Sequence, residues 1–239
     1  ATLEPGDNPA LPGQLRVDLT RAELPLAQVD GQYMMDWDGW AARLTGRERM
    51  LILCSPHNPG GRVWSESELR EVVAFCEAHD RILVSDEIHH DLVLPGSPRH
   101  HVLADLVPEA APRLITLTAA TKTFNIAGAL TGNVIIPDAN LRRRFSTVHL
   151  ASGTSPNRFG VLAATAAYAC GDAWLDALRA YLAENAALLE TGLGAIPGVR
   201  PMRLASLRPS DVLPAAIGPM VVVTGKMSLT REEMEGMAA

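Results

Sequence analysis

Three short apolar runs set the limits on what this chain can fold into. Met50-Leu51-Ile52-Leu53-Cys54, Arg81-Ile82-Leu83-Val84-Ser85 and Leu114-Ile115-Thr116-Leu117 are too short for ordinary helices and have the character of buried strands. Each ends abruptly. The first breaks at Ser55-Pro56-His57-Asn58-Pro59-Gly60-Gly61, where prolines and glycines force a loop. The second runs into Asp86-Glu87-Ile88-His89, and the third passes through Thr118-Ala119-Ala120-Thr121 to Lys122. Between the first two, Ser65 and Glu68 have capping-box spacing, and Leu69, Val72, Val73 and Cys76 fall on one helical face. Strand, helix, strand, loop and strand, with Asn133 to Ile136 as a further apolar run, is the order of an α/β domain.

The strand ends are where chemistry is expected, because open α/β sheets bind ligands at the carboxyl edge of their strands. Asn58, Asp86 and Lys122 stand there. The chain is rich in arginine but holds only two lysines, Lys122 and Lys226. A lone lysine is ordinarily a surface ammonium, yet an amine that must attack a carbonyl cannot be replaced by a guanidinium.

In this order the motifs resemble a known family. Asn58-Pro59-Gly60, Asp86-Glu87-Ile88-His89 and Thr121-Lys122-Thr123-Phe124 are similar to the cofactor landmarks of fold-type I pyridoxal-phosphate enzymes, the class I/II aminotransferase superfamily. Ser55 to Trp64, Ser85 to His89 and Lys122 to Gly128 are closer to its MalY/PatB cystathionine β-lyase, or C-S lyase, branch. The separations, 28 residues from Asn58 to Asp86 and 36 from Asp86 to Lys122, match that superfamily's spacing. Gly171 to Asp176 and Tyr181 to Asn185 extend the likeness, which spans roughly 50–199.

The resemblance implies a three-layer fold-type I large domain with a mainly parallel sheet over residues 1–170, partial in its N-terminal part, and a remnant of the small domain over 171–239. It implies pyridoxal 5'-phosphate as cofactor. Lys122 would bind the cofactor aldehyde and take the substrate Cα proton, and Asp86 would keep the pyridine nitrogen protonated so that the ring draws electrons. Asn58 would donate to the phenolic oxygen, His89 stands where many relatives place a tyrosine, and Thr118 and Thr121 would reach the phosphate. The sequence departs from the family at Ala119, where a serine is usual, and at Leu130, where many aminotransferases carry an arginine. The implied activity is β-elimination from cystathionine or a similar cysteine conjugate by a homodimer. An aminotransferase, or a shortened relative without turnover, uses the same landmarks.

Composition narrows the partners. With 239 residues, 47% hydrophobic and 20% charged, the chain is of ordinary globular type, and its net charge of −6 argues against nucleic acid or a membrane surface. A small amino-acid substrate and a cytoplasmic setting are the expectation, with no apolar stretch of membrane-spanning length. Cys54, Cys76 and Cys170 read as buried thiols, and the pairs His89-His90 and His100-His101 as strand neighbours pointing apart, without metal-ligand spacing. Arg16 to Leu26 reads as a strand, Asp36 to Leu44 as a short helix, Asp138 as a helix cap, and Arg142-Arg143-Arg144 as a solvated face. Asn157 to Ala169 and Asp172 to Leu193 read as helices, the second with Trp174, Leu175, Leu178, Leu182 and Leu189 facing a core or a partner subunit. No glycine-rich phosphate turn and no ring-covering aromatic is visible between Ala1 and Met50, so loose cofactor binding by these residues alone is expected.

Overall fold

A computed structural model describes residues 22–29, 31–199, 201–202 and 204–206, together with the backbone of Leu3–Pro5 (β1) and Leu15–Val17 (β2), which pair antiparallel. Met220 to Val223 and Lys226 lie outside the described residues. The strand expected from Arg16 to Leu26 is present at its start, where Arg16 and Val17 belong to β2, and residues 18–21 lie outside the described residues. Residues 22–26 are irregular, and the next strands are Ala27–Val29 (β3) and Gln32–Met34 (β4), an antiparallel hairpin with Val29 opposite Gln32. Gly31, just before β4, takes a positive φ of 78°, the conformation that tight hairpin turns favour glycine for.

The centre is a sheet of Met50–Cys54 (β5), Ile82–Asp86 (β6), Leu114–Thr118 (β7) and Asn133–Ile135 (β8), in that spatial order. β5, β6 and β7 are parallel, and β8 joins antiparallel. Register and alternation sort the side chains into two faces. Leu51, Leu83 and Leu114 stand abreast on one, beneath Trp37–Arg43 (α1), Glu66–Ala78 (α2) and Leu103–Leu106 (α3), in a core that includes Trp40, Trp64, Leu69, Val72, Val73, Phe75 and Cys76. Ile52, Val84 and Ile115 stand abreast on the other. There Val84, Ile115 and Ile136 are buried with help from Leu141 of Ala139–Ala151 (α5), but Ile52 is 68% exposed.

The caps follow the sequence. Asp36 accepts from Gly39 N at 3.1 Å to start α1, and Trp40 on that helix donates to the Pro25 carbonyl at 2.7 Å. At α2 the capping box closes, Ser65 Oγ accepting from Glu68 N at 3.3 Å and Glu68 accepting from Ser65 N at 2.9 Å. Asp138 caps α5 through Leu141 N at 2.7 Å. The arginine run is exposed, but Arg142 also donates to the carbonyls of Ile136 and Pro137 at 2.6 and 2.9 Å, tying α5 to the end of β8.

Beyond the sheet lie Arg158–Cys170 (α6) and Asp172–Gly194 (α7). α7 docks through Leu182, which packs with Leu94, and through Arg179, which donates to the Val93 carbonyl at 3.1 Å. Trp174 and Leu189, read from the sequence as core or interface, are exposed, while Leu182 is buried. The expectation of three buried thiols is corrected: Cys76 is buried and its thiol is pushed up to about 12 by desolvation, whereas Cys170 is exposed and Cys54 half-buried. Among the described residues no helix is long and apolar enough to cross a membrane.

The two faces predict unequal responses to mutation. Leu83→Ala removes a fully buried side chain and is expected to cost about 2–5 kcal/mol, whereas Ile52→Thr, which keeps β-branching, is expected to cost at most about 1 kcal/mol. Urea unfolding measures both, and equal losses would mean that Ile52 is covered in solution.

Candidate active site

The parallel register brings Cys54, Asp86 and Leu117 abreast at the carboxyl ends of β5, β6 and β7. The ends are laced together beyond the strands, Ser55 N donating to the Asp86 carbonyl and Glu87 N to the Leu117 carbonyl, each at 2.9 Å. Asp86 has the same parity as Ile82 and Val84, so its side chain rises on the less covered face, whereas Glu87 follows Ser85 toward the helical core.

Asp86 is half-buried. Desolvation raises its carboxyl above the ordinary 3.8, only partly offset by the Ile88 N–H, 3.3 Å from Oδ1, and by the charge of Lys122, while Glu87 pushes it further up. Lys122 lies on Ala120–Thr123 (α4), a single helical turn directly after β7. The sheet therefore brings the two expected charged groups into electrostatic reach of one another.

Glu87 is the residue that sequence reasoning passed over. Its buried carboxylate accepts from Ser85 Oγ at 2.8 Å, His100 Nε2 at 2.9 Å and Leu103 N at 3.1 Å. This replaces the picture of His89-His90 and His100-His101 as strand neighbours. His90 lies in a 3-10 turn, His90–Leu92, with His89 at its N-terminus, and His90 and His100 come from separate segments to ring centroids 6.0 Å apart. The signal available in the sequence was the pairing of a strand-end glutamate with Ser85 at i−2. Among the described residues no group of three or more His, Cys, Asp or Glu could hold a metal ion.

The other expected residues are placed as follows. Asn58 is exposed on the loop after β5, its N–H reaching Cys54 Sγ at 3.4 Å. That loop folds back through two bonds, His57 N to Arg62 O and Gly61 N to His57 O, each 2.7 Å, and any side chain at Gly60 would strike His57 and Tyr33. The basicity of His57 is lowered by burial and then by the Arg62 charge. His89 is buried where the strand-end segment turns, Thr121 is buried in α4, and Thr118 ends β7 with its hydroxyl accepting from Asn133 Nδ2 at 3.1 Å. Asp86 and Lys122 are thus brought together, Asn58 and Thr118 stand at the same edge, and His89 and Thr121 are placed just behind it.

These residues fit a pyridine aldehyde. A half-buried carboxylate with an incompletely compensated charge is suited to a protonated heterocyclic nitrogen, and an amine on the adjoining turn is suited to an aldehyde. The buried Ser55 hydroxyl beside the Asp86 carbonyl bond has no hydrogen-bond partner, leaving one further polar group uncommitted at this edge.

Comparison with known proteins gives the same direction. The model of the family "Aminotransferase class I and II" matches residues 14–223. Cystathionine beta-lyase PatB of Bacillus subtilis is 39% identical over 182 residues, 75% of this chain and 47% of that protein. Kynurenine--oxoglutarate transaminase 1 of Mus musculus is 33% identical over 135 residues, 56% of this chain and 31% of that protein. Among solved structures, the PLP-bound C-S lyase from Staphylococcus hominis superposes with a TM-score of 0.70 at 34% identity, covering 77% of this chain and 46% of that one. The chain spans about half the length or less of the relatives it matches.

The raised Asp86 carboxyl predicts a pH dependence. The folded state holds this proton to higher pH than the unfolded state, whose value is near 3.8, so its contribution to stability is present below that value and is lost as pH rises through the raised one. Without added cofactor, Asp86→Asn should show a flatter stability profile than the wild type above pH 3.8 and be at least as stable at neutral pH. Urea midpoints across the range measure this, and a clear loss of neutral-pH stability in Asp86→Asn would contradict it.

Proposed function

Since the chain belongs to the class I and II aminotransferase family, we propose that its site serves pyridoxal-phosphate-dependent β-elimination, cleaving cystathionine or another cysteine S-conjugate to a thiol, pyruvate and ammonia. The observation that carries this is the juxtaposition of Asp86 and Lys122 at the carboxyl edge of parallel strands. The similarity to PatB and to the Staphylococcus hominis C-S lyase favours elimination as the outcome.

When bound, the cofactor supplies an aldehyde that condenses with the substrate amine and a ring that withdraws electrons from Cα. The side chains do the rest. Asp86 would hold a proton on the ring nitrogen by charge. Lys122 Nζ would hold the cofactor aldehyde and, with substrate bound, would take the proton from the substrate Cα. The Cβ–S bond breaks with its electron pair leaving on sulfur. Asn58 would donate to the phenolic oxygen, His89 would support that side, and the Thr118 and Thr121 hydroxyls would orient the phosphate. Exposed Phe159, Leu162 and Leu188 offer apolar area for a second subunit, in keeping with a homodimer.

Transamination is the alternative, favoured by the likeness to a kynurenine transaminase. It uses the same Lys122 and Asp86 but returns the proton to the cofactor and spares the Cβ–S bond.

Two measurements test the proposal. After incubation with pyridoxal phosphate and borohydride reduction, peptide mapping should place the label on Lys122, and label on Lys226 would sink the assignment. The chain should release pyruvate from cystathionine faster than it exchanges amino groups between amino and keto acids, with Lys122→Ala lowering release about a hundredfold or more. Faster amino exchange across a substrate panel would establish transamination instead.

A further inference from the structure

The turn that carries Lys122 does not hold itself in place. α4 is four residues long, and the residue before it, Ala119, provides no capping side chain. A single helical turn fixes several dihedral angles for one hydrogen bond and is unstable in water alone. The direction of Lys122 is therefore imposed by the residues beside it. On one side Phe124 meets Tyr168 edge-on at 5.6 Å and lies tilted against Trp174 at 5.9 Å. Those contacts fill space but have little directionality.

On the other side stands a directional bond. Thr123, fully buried, donates from its hydroxyl to Asp91 Oδ2 at 2.9 Å. A hydroxyl bonded to a carboxylate is among the stronger hydrogen bonds a protein makes. His90 Nε2 approaches the same oxygen at 3.2 Å, and His90 Nδ1 donates to the Glu87 carbonyl at 2.7 Å. Asp91 is in turn fixed relative to Asp86. The intervening backbone is closed by His90 N to Glu87 O at 3.0 Å and Leu92 N to His89 O at 2.9 Å. Glu87 pins the start of this segment to Ser85, His100 and Leu103.

We propose that Asp91 and Thr123 form a clasp that locks the Lys122 turn to the segment bearing Asp86, so that both act as positioning residues setting where the amine stands relative to the ring-binding carboxylate. This rests on the assignment of Lys122 and Asp86 made above. The function of the Asp91 carboxylate is to accept from Thr123, and Thr123 acts on chemistry only through the orientation of its neighbour.

The test uses the full chain with pyridoxal phosphate. Equilibrium dialysis gives the apparent Kd, borohydride trapping gives the yield on Lys122, and thermal melting without cofactor gives stability, for Thr123→Val, Thr123→Ser, Asp91→Leu and the double variant Thr123→Val/Asp91→Leu. Losing this bond is expected to weaken cofactor binding about tenfold in Thr123→Val and in Asp91→Leu, with trapping on Lys122 reduced in parallel. The double variant should be no worse than either single one, because both remove the same bond. Thr123→Ser, which restores the hydroxyl, should stay within about twofold of the wild type. Additive losses, a loss that Thr123→Ser does not restore, or wild-type affinity in Thr123→Val would overturn the clasp, whatever the melting temperatures. Wild-type label on a lysine other than Lys122 would remove the Lys122 assignment and the clasp's role with it, and this is read before any variant is made.

Discussion

Parallel strands cannot close on one another through a tight turn, so β5, β6 and β7 must each run in the same direction and end at the same edge. The pairing of Cys54 with Asp86 and of Asp86 with Leu117 is the constraint from which the site follows. It delivers the ends of three segments that are far apart in sequence to one line. Whatever each segment carries just beyond its last ladder bond is then brought to a common place: the Asn58 loop, the Asp86-Glu87 pair and the turn of Lys122.

The register also decides which environment each group meets. A slip of one residue in β6 would turn Leu83 and Ser85 out of the helical core and Asp86 into it, among Leu53 and Leu114. Burying an uncompensated carboxylate there would cost several kcal/mol. The observed register leaves Asp86 on the face that α5 covers in part and where Ile52 is open. Half-burial raises its carboxyl above the ordinary value, with the Ile88 N–H and the charge of Lys122 opposing the rise.

Much of this was legible in the chain. The strands at Met50, Arg81 and Leu114, the capping box at Ser65, the cap at Asp138 and the helices after Asn157 all rest on local patterns, and local patterns survive into the fold. The places of Asp86 and Lys122 at the strand ends were legible for the same reason, each sitting at the break of an apolar run. The failures have other causes. Of the run read as a strand from Arg16 to Leu26, the residues 22–26 are irregular, and the next strand pairing is the β3–β4 hairpin, a local turn that a reading of the run as one strand does not register. The exposure of Cys170 depends on how sparsely α6 is covered, which helical spacing does not report. His100 could not be matched to Glu87 because the bond between them joins a strand end to a distant loop, and no periodicity links such positions.

Adjacent carboxylates at the end of β6 show how satisfaction, rather than residue type, separates a structural group from an available one. Alternation sends Asp86 and Glu87 to opposite sides. Glu87 meets three donors at 2.8, 2.9 and 3.1 Å and is buried with them, so its oxygens are committed to holding β6 against the segment that leads to α3. Asp86 receives one backbone N–H at the longer distance of 3.3 Å and remains half-buried. A buried carboxylate with its bonds made stabilises the fold it sits in, whereas one left with capacity to accept and a charge to balance destabilises it until a partner arrives. The two residues cannot exchange roles by exchanging side chains, because the backbone position decides which face each explores and which donors it finds there. Availability at Asp86 is thus a property of the sheet edge, maintained by Glu87 anchoring the same edge from behind.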